Sequence, residues 1–253
     1  MIEGRQEEKS RFSGKRALVV GGSGGLGAEV SAELARRGAR LVIHGKSKAK
    51  VEILCRKIAD GGGEAQPLPF NLDTSQDLFE FCRMASQIED IQILALAYGP
   101  FVQKPLEDHS PEDWVRASVM DLALPGALAS LCLPGMKSRG FGRILLFGGT
   151  RTDVVRSFST NVAYAAAKTG LGVLVKSIAA QGAAHNVAAI LACPGFVKTE
   201  YLSDETIARL KEKSPAGELF EARDLVSPLL DLLQAEPCVA SGAVISLDGG
   251  LTL

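Results

Sequence analysis

The 253-residue chain has almost no net charge: 28 Lys and Arg stand against 29 Asp and Glu, leaving −1. Without a basic excess there is no field to collect phosphates, which argues against DNA, RNA or an anionic membrane as partner. Cysteine is sparse. Cys55, Cys82, Cys132, Cys193 and Cys238 are odd in number and scattered, with neither a disulfide framework nor a zinc-ligand spacing, and they read as buried thiols of a reducing, cytoplasmic compartment. No metal site is expected. Residues 1–16 are polar and charged, unlike a signal peptide. The most apolar stretch, Val119 to Met136, is broken by Asp121, Pro125 and Pro134, so it reads as a core or subunit-contact helix, not a membrane span. Linkers, low-complexity tracts and repeats are also missing, which implies one domain over residues 14–253. Residues 1–13 form an extension, in which Ile2-Glu3-Gly4-Arg5 matches a tag-removal protease site and points to a vector origin in part.

What the sequence does contain is alternation. Seven short apolar runs, Arg16–Val20, Arg40–His44, Ala65–Phe70, Ile91–Ala97, Arg143–Phe147, Val187–Cys193 and Ala243–Leu247, are separated by stretches of helical period such as Leu26, Val30, Leu34 and Leu171, Leu174, Val175, Ile178. Strands that are apolar on both faces need helices on both sides. The pattern therefore predicts an α/β fold, a single Rossmann-like doubly wound domain with a seven-stranded parallel sheet, whose ligands lie beyond the strand C-termini. Thr150–Val162 and Thr199–Phe220 read as the irregular segments that wall this site.

After the first strand comes Gly21-Gly22-Ser23-Gly24-Gly25-Leu26-Gly27, and a helix follows. Glycines allow a tight turn and close approach of backbone to a pyrophosphate, while the helix N-terminus offers free amides and a positive dipole end. In this position the loop, with Gly21, Ser23, Gly25, Leu26 and Gly27, predicts a dinucleotide site. An acidic residue at the end of the second strand would bind ribose hydroxyls, but the sequence there is His44-Gly45-Lys46-Ser47. Gly45 leaves room, and Lys46 with Ser47 offers a cation and a hydroxyl to a 2′-phosphate, favouring NADP(H) over NAD(H). Lys46 as an ordinary solvated lysine, and His44 as a strand-end packing residue, are the plainer alternatives.

Tyr164 and Lys168 lie one helical turn apart on one face, a proton donor beside a fixed cation. An ammonium there should lower the phenol's pKa towards the range useful to a general acid.

With the glycine loop, Tyr164/Lys168, and Pro194-Gly195-Phe196-Val197-Lys198-Thr199 after the sixth strand, the chain resembles the short-chain dehydrogenase/reductase family over residues 14 to 253. Gly21, Gly25 and Gly27 match the family's Gly-x-x-x-Gly-x-Gly, and Ser246-Leu247-Asp248-Gly249-Gly250 is similar to members related to 3-oxoacyl-carrier-protein reductases. The resemblance implies hydride transfer between nicotinamide and a carbonyl or alcohol, with Tyr164 protonating the oxygen and Lys168 holding the ribose. It further places Pro194, Gly195, Val197 and Thr199 beside the nicotinamide, Asn71 and Leu72 beside adenine, and Gly99 beside the adenosine. It also implies a homodimer or homotetramer, with Val119–Leu133 and Leu171–Ile178 as candidate contacts.

Three departures from the family pattern stand out. Asn-Asn-Ala-Gly becomes Leu96-Ala97-Tyr98-Gly99, the relay asparagine aligns with Asp121, and the serine that meets the carbonyl aligns with Gly149. Thr150, or second to it Thr152, is the substitute hydroxyl, with Ser157 and Ser159 too far round the loop. Arg151 is either an anion contact or a partner of Asp153. The leading expectation is an NADP-dependent carbonyl reductase or alcohol dehydrogenase acting on a 3-oxoacyl thioester or related ketone. An enoyl reductase would need tyrosine at Asn161. A fold-retaining NADP-binding sensor without turnover is the alternative of a different class.

Overall fold

In a computed structural model, whose described residues are 10–251, seven strands form one parallel sheet in the order β3-β2-β1-β4-β5-β6-β9. They are β1 (Arg16–Val20), β2 (Arg40–Gly45), β3 (Glu64–Pro69), β4 (Ile91–Leu96), β5 (Gly142–Phe147), β6 (Val187–Pro194) and β9 (Val244–Leu247); β7 (Val197–Lys198) and β8 (Phe220–Glu221) make a separate short ladder. The helices are α1 (Gly25–Arg36), α2 (Lys48–Asp60), α3 (Ser75–Ala85), α4 (Pro111–Ser118), α5 (Leu124–Ser138), α6 (Val162–Gly182), α7 (Asp204–Lys213) and α8 (Ala222–Gln234).

Successive residues of each central strand enter opposite cores, which is why these strands read as unbroken apolar runs. Leu18, Leu94 and Leu146 pack with Phe81 of α3, Leu128 of α5 and Leu171 of α6. Ala17, Ile93 and Leu145 pack with Val30 and Leu34 of α1 and Leu230 of α8. Each large side chain so buried contributes about 1.5–3 kcal/mol. The expected doubly wound fold is what forms. The chain reverses its direction of travel across the sheet between β1 and β4, opening a crevice at their C-terminal ends. Backbones meet closely there: a Cβ on Gly21 would stand 2.5 Å from the Ala97 carbonyl oxygen.

Several boundaries differ from the sequence reading. Prolines 67 and 69 sit in β3 because it is an edge strand of the sheet. The helix carrying Asp121 is not continuous, since a π-helical turn over Val119–Ala123 separates α4 from α5. Thr199–Phe220 is not irregular throughout: it contains α7, which fully buries no residue, Ile207 and Leu210 being only half-buried. Its signals are electrostatic instead, with a Ser203 cap, Asp204 and Glu205 in the first turn and Lys211 and Lys213 in the last. Phe12 is fully buried in the core although it precedes residue 14, and the tag-like Ile2-Glu3-Gly4-Arg5 lies outside the described residues. Residues 111–138 and Val162–His185 are long and apolar enough to cross a membrane by length and composition alone. Here they cover one face of the sheet, with Leu128 and Leu171 in its core.

Candidate active site

Tyr164 projects from the first turn of α6, and Lys168, one turn on, is 4% exposed. The Lys168 Nζ lies 5.7 Å from the centre of the Tyr164 ring. It donates a hydrogen bond to the Tyr98 carbonyl (3.0 Å) and forms an ion pair with Asp121 Oδ1 (3.1 Å). Asp121 comes from the π-helical turn, a local widening that points its carboxylate inwards, where it is completely buried. Its 3.1 Å contact with Lys168 lacks hydrogen-bond alignment, so neither carboxylate oxygen has a hydrogen-bond partner in the structure. Burial pushes the Asp121 carboxyl up to about 6, with the Lys168 charge pulling the other way. Gly99 makes the pairing possible, since a Cβ there would lie 1.8 Å from Asp121 Oδ1.

This pair reverses one sequence expectation. Lys168 was expected to lower the Tyr164 pKa, but burial first and then the nearby Asp121 charge raise it above the ordinary tyrosine value. The ammonium is already matched by a carboxylate, so its effect on the phenol is offset. Tyr164 is accordingly held protonated.

Gly149 does stand beside the tyrosine, as its alignment with the missing serine implied: a Cβ there would be 2.6 Å from Tyr164 Cε1 and 2.8 Å from its hydroxyl oxygen. Thr150, the next residue, lines a cavity of about 530 Å³ together with Tyr164, Phe101, Asn161 and Phe196. Its hydroxyl makes only a long 3.5 Å contact to the Gly195 carbonyl. Thr152 is fully occupied, accepting from the Gly149 N–H (2.8 Å) and donating to the Gly149 carbonyl (2.9 Å). Asp153 pairs with Arg156, not with Arg151. Arg151, Ser157 and Ser159 are exposed. Phe101 meets the Tyr164 ring edge-on at 5.1 Å, a neighbour with no signal in the sequence.

At the other end of the crevice, His44 is fully buried beneath the glycine loop. The Gly21 N–H donates to its Nδ1 (3.2 Å), which fixes Nε2 as the donor to the Phe70 carbonyl (3.1 Å). Burial lowers its pKa to about 4, so it stays neutral. More than a packing residue, it anchors the first glycine of the loop. The Tyr98 ring leans on it (5.9 Å between centres), and the Tyr98 hydroxyl donates to the Leu72 carbonyl. Leu72 has its side chain in the core, leaving only its backbone for a ligand, while Asn71 is exposed beside it.

The room expected over Gly45 is taken by Ser23, whose Oγ would lie 2.1 Å from a Cβ there. Lys46 is exposed, and Ser47 caps α2 by accepting from the Lys50 N–H (3.4 Å). Gly27 and Gly21 pack backbone to backbone. Leu26 packs against the α1 side of the core. At the α1 N-terminus the Gly25 N–H donates to both oxygens of Glu200 (3.2 Å each), and the Tyr201 hydroxyl covers Gly24. Neither contact was foreseen. Pro194 ends β6, Gly195 abuts Asp248, Val197 pairs with Phe220 in the small ladder, and Thr199 lies over Gly25.

Residues 15–209 match the family model described as short chain dehydrogenase. The chain belongs to the short-chain dehydrogenase family. This dehydrogenase is 28% identical over 245 residues to a 3-oxoacyl-[acyl-carrier-protein] reductase of Haemophilus influenzae, covering 96% of this chain and 100% of that one. It is 29% identical over 258 residues to a D-beta-hydroxybutyrate dehydrogenase of Cupriavidus necator, covering 94% and 98%. Among solved structures it is similar to a 3-oxoacyl (acyl-carrier-protein) reductase of Agrobacterium tumefaciens with NADP bound, with TM-score 0.87, 26% identity and 99% of both chains covered. The dehydrogenase is an oxidoreductase by this membership.

Proposed function

We propose that this dehydrogenase is an NADP-dependent carbonyl reductase in which Tyr164 is the proton donor. The observation that carries the reading is the cavity of about 530 Å³ that opens onto Tyr164 and Thr150. A protein that only sensed cofactor would have no need of it.

The residues of the crevice suit NADP. At the α1 N-terminus the Gly25 N–H, with no Cβ beside it, already contacts the carboxylate of Glu200, which supports an anion site there. Lys46 and Ser47 at the β2 end give the 2′-phosphate a cation and a hydroxyl, with no carboxylate on that strand end to repel it. When bound, the nicotinamide supplies the hydride. Tyr164 gives its proton to the substrate oxygen. Thr150 takes the place of the missing serine and donates to the same oxygen once its weak Gly195 contact is given up. Lys168 donates to the Tyr98 carbonyl and pairs with Asp121 by charge, which leaves ammonium protons for the ribose. Asp121 replaces the relay asparagine as a group able to hold or return the proton. A 3-oxoacyl thioester or related ketone is the substrate.

Exposed Leu122 and Leu131, within Val119–Leu133, and Val173, within Leu171–Ile178, form the faces for a second subunit. The free thiols suit the cytoplasm.

The test is NADPH oxidation over a panel of ketones and 3-oxoacyl thioesters. Tyr164→Phe should lose on the order of a hundredfold or more in kcat while keeping NADPH affinity. Thr150→Ala should lose less. NADPH binding without turnover of any ketone by the parent would overturn the reading, and equal affinity for NADH would remove the role of Lys46.

A further inference from the structure

The cavity in front of Tyr164 changes in chemistry from one wall to the other. Tyr164 and Thr150 stand on the reacting side, whereas α7 supplies Thr206, Arg209, Leu210 and Lys213. Their spacing of three, four and seven residues puts them on one face of α7, so this helix turns two cations towards the cavity. No aspartate or glutamate lines it. Arg209 and Lys213 are exposed at its mouth, and among the described residues neither has an ion-pair or hydrogen-bond partner. Elsewhere on the surface cations are commonly paired, as Arg116 is with Asp73 and Lys198 with Glu221. Two unpaired cations at the mouth of a partly enclosed pocket focus a positive potential into it.

We infer that the substrate carries an anionic group, a carboxylate or a phosphate ester, which Arg209 and Lys213 hold while the carbonyl faces Tyr164. The inference rests on the reductase reading above and narrows its substrate class. A guanidinium matches either anion with two parallel hydrogen bonds, and the lysine adds a mobile charge. The sequence had offered Arg151 for such a role, but it does not line the cavity. The same chemistry could come from a free 3-oxo acid or from the phosphate of a phosphopantetheine thioester.

The experiment compares a 3-oxo acid with its methyl ester, and a 3-oxoacyl phosphopantetheine with its dephosphorylated form. Each is titrated into the NADP-loaded protein by calorimetry and assayed by NADPH oxidation. The parent, Arg209→Gln, Lys213→Gln, the double variant and a Lys211→Gln control are used. The parent should prefer the anionic member of at least one pair. In the double variant the KM for that member should rise on the order of tenfold with kcat unchanged, while the neutral member is unaffected. The pair that responds identifies the source of the anion. Equal binding of both members by the parent, or equal weakening of both in the double variant, overturns the inference. Turnover without anion preference leaves the reductase reading standing. Arg209-dependent anion binding without any turnover does the reverse.

Discussion

Around the glycine loop the crevice is made of backbone: amides of Gly21 and Gly25, carbonyls of Ala97 and Phe70, and one neutral histidine that joins two of them. Around Tyr164 it is made of charged side chains, with Lys168 and Asp121 buried together. The backbone end tolerates little change, because its geometry follows from the absence of Cβ atoms. The side-chain end can be retuned residue by residue while the fold persists.

The largest effect should come from breaking the backbone end. His44→Leu leaves the Gly21 N–H and the Phe70 carbonyl without partners and should destabilise the protein by about 2–4 kcal/mol in urea denaturation, with weaker NADPH binding. Because the folded pKa of His44 lies near 4 and its ordinary value is 6.5, unfolded chains take up this proton first. Its stabilising contribution is therefore full above pH 6.5 and is lost as pH falls towards 4. Asp121, raised to about 6, acts with the opposite sign, its contribution being lost as pH rises through that value. The difference between parent and His44→Leu isolates the histidine.

At the side-chain end, Gly149→Ser restores the residue type usual in the family. Its Cβ would meet the Tyr164 ring at 2.6 Å, so the phenol must move. We expect kcat/KM to fall on the order of tenfold, measured by NADPH oxidation. A gain in activity would show that Thr150 had not taken over. The smallest effect concerns the junction of the two ends. Glu200 sits on the Gly25 amide proposed above to meet the cofactor's phosphate, so on that reading Glu200→Gln should tighten NADPH binding about two- to fivefold in a fluorescence titration.

The sequence reading was strongest where one periodicity or one absence decides the structure. Strands buried on both faces and a loop that only glycine permits can be read directly. It was weaker where geometry depends on partners distant in the chain. His44 looked like packing because Gly21 and Phe70, 23 and 26 residues away, become its partners only after folding. Lys168 was expected to act on Tyr164, but the carboxylate that offsets it arrives from a π-helical turn that no apolar pattern announced. Helix α7 was missed because nothing on it is fully buried.

Asp121, by matching the charge of Lys168, adds to burial in raising the Tyr164 pKa above its ordinary value. The most direct test is the pH dependence of kcat/KM for NADPH-dependent ketone reduction in the parent and in Asp121→Asn. Removing the carboxylate frees the ammonium to act on the phenol, so the alkaline limb should move to lower pH and any inflection near 6 should vanish. An alkaline limb at the same pH in both proteins would contradict the claim.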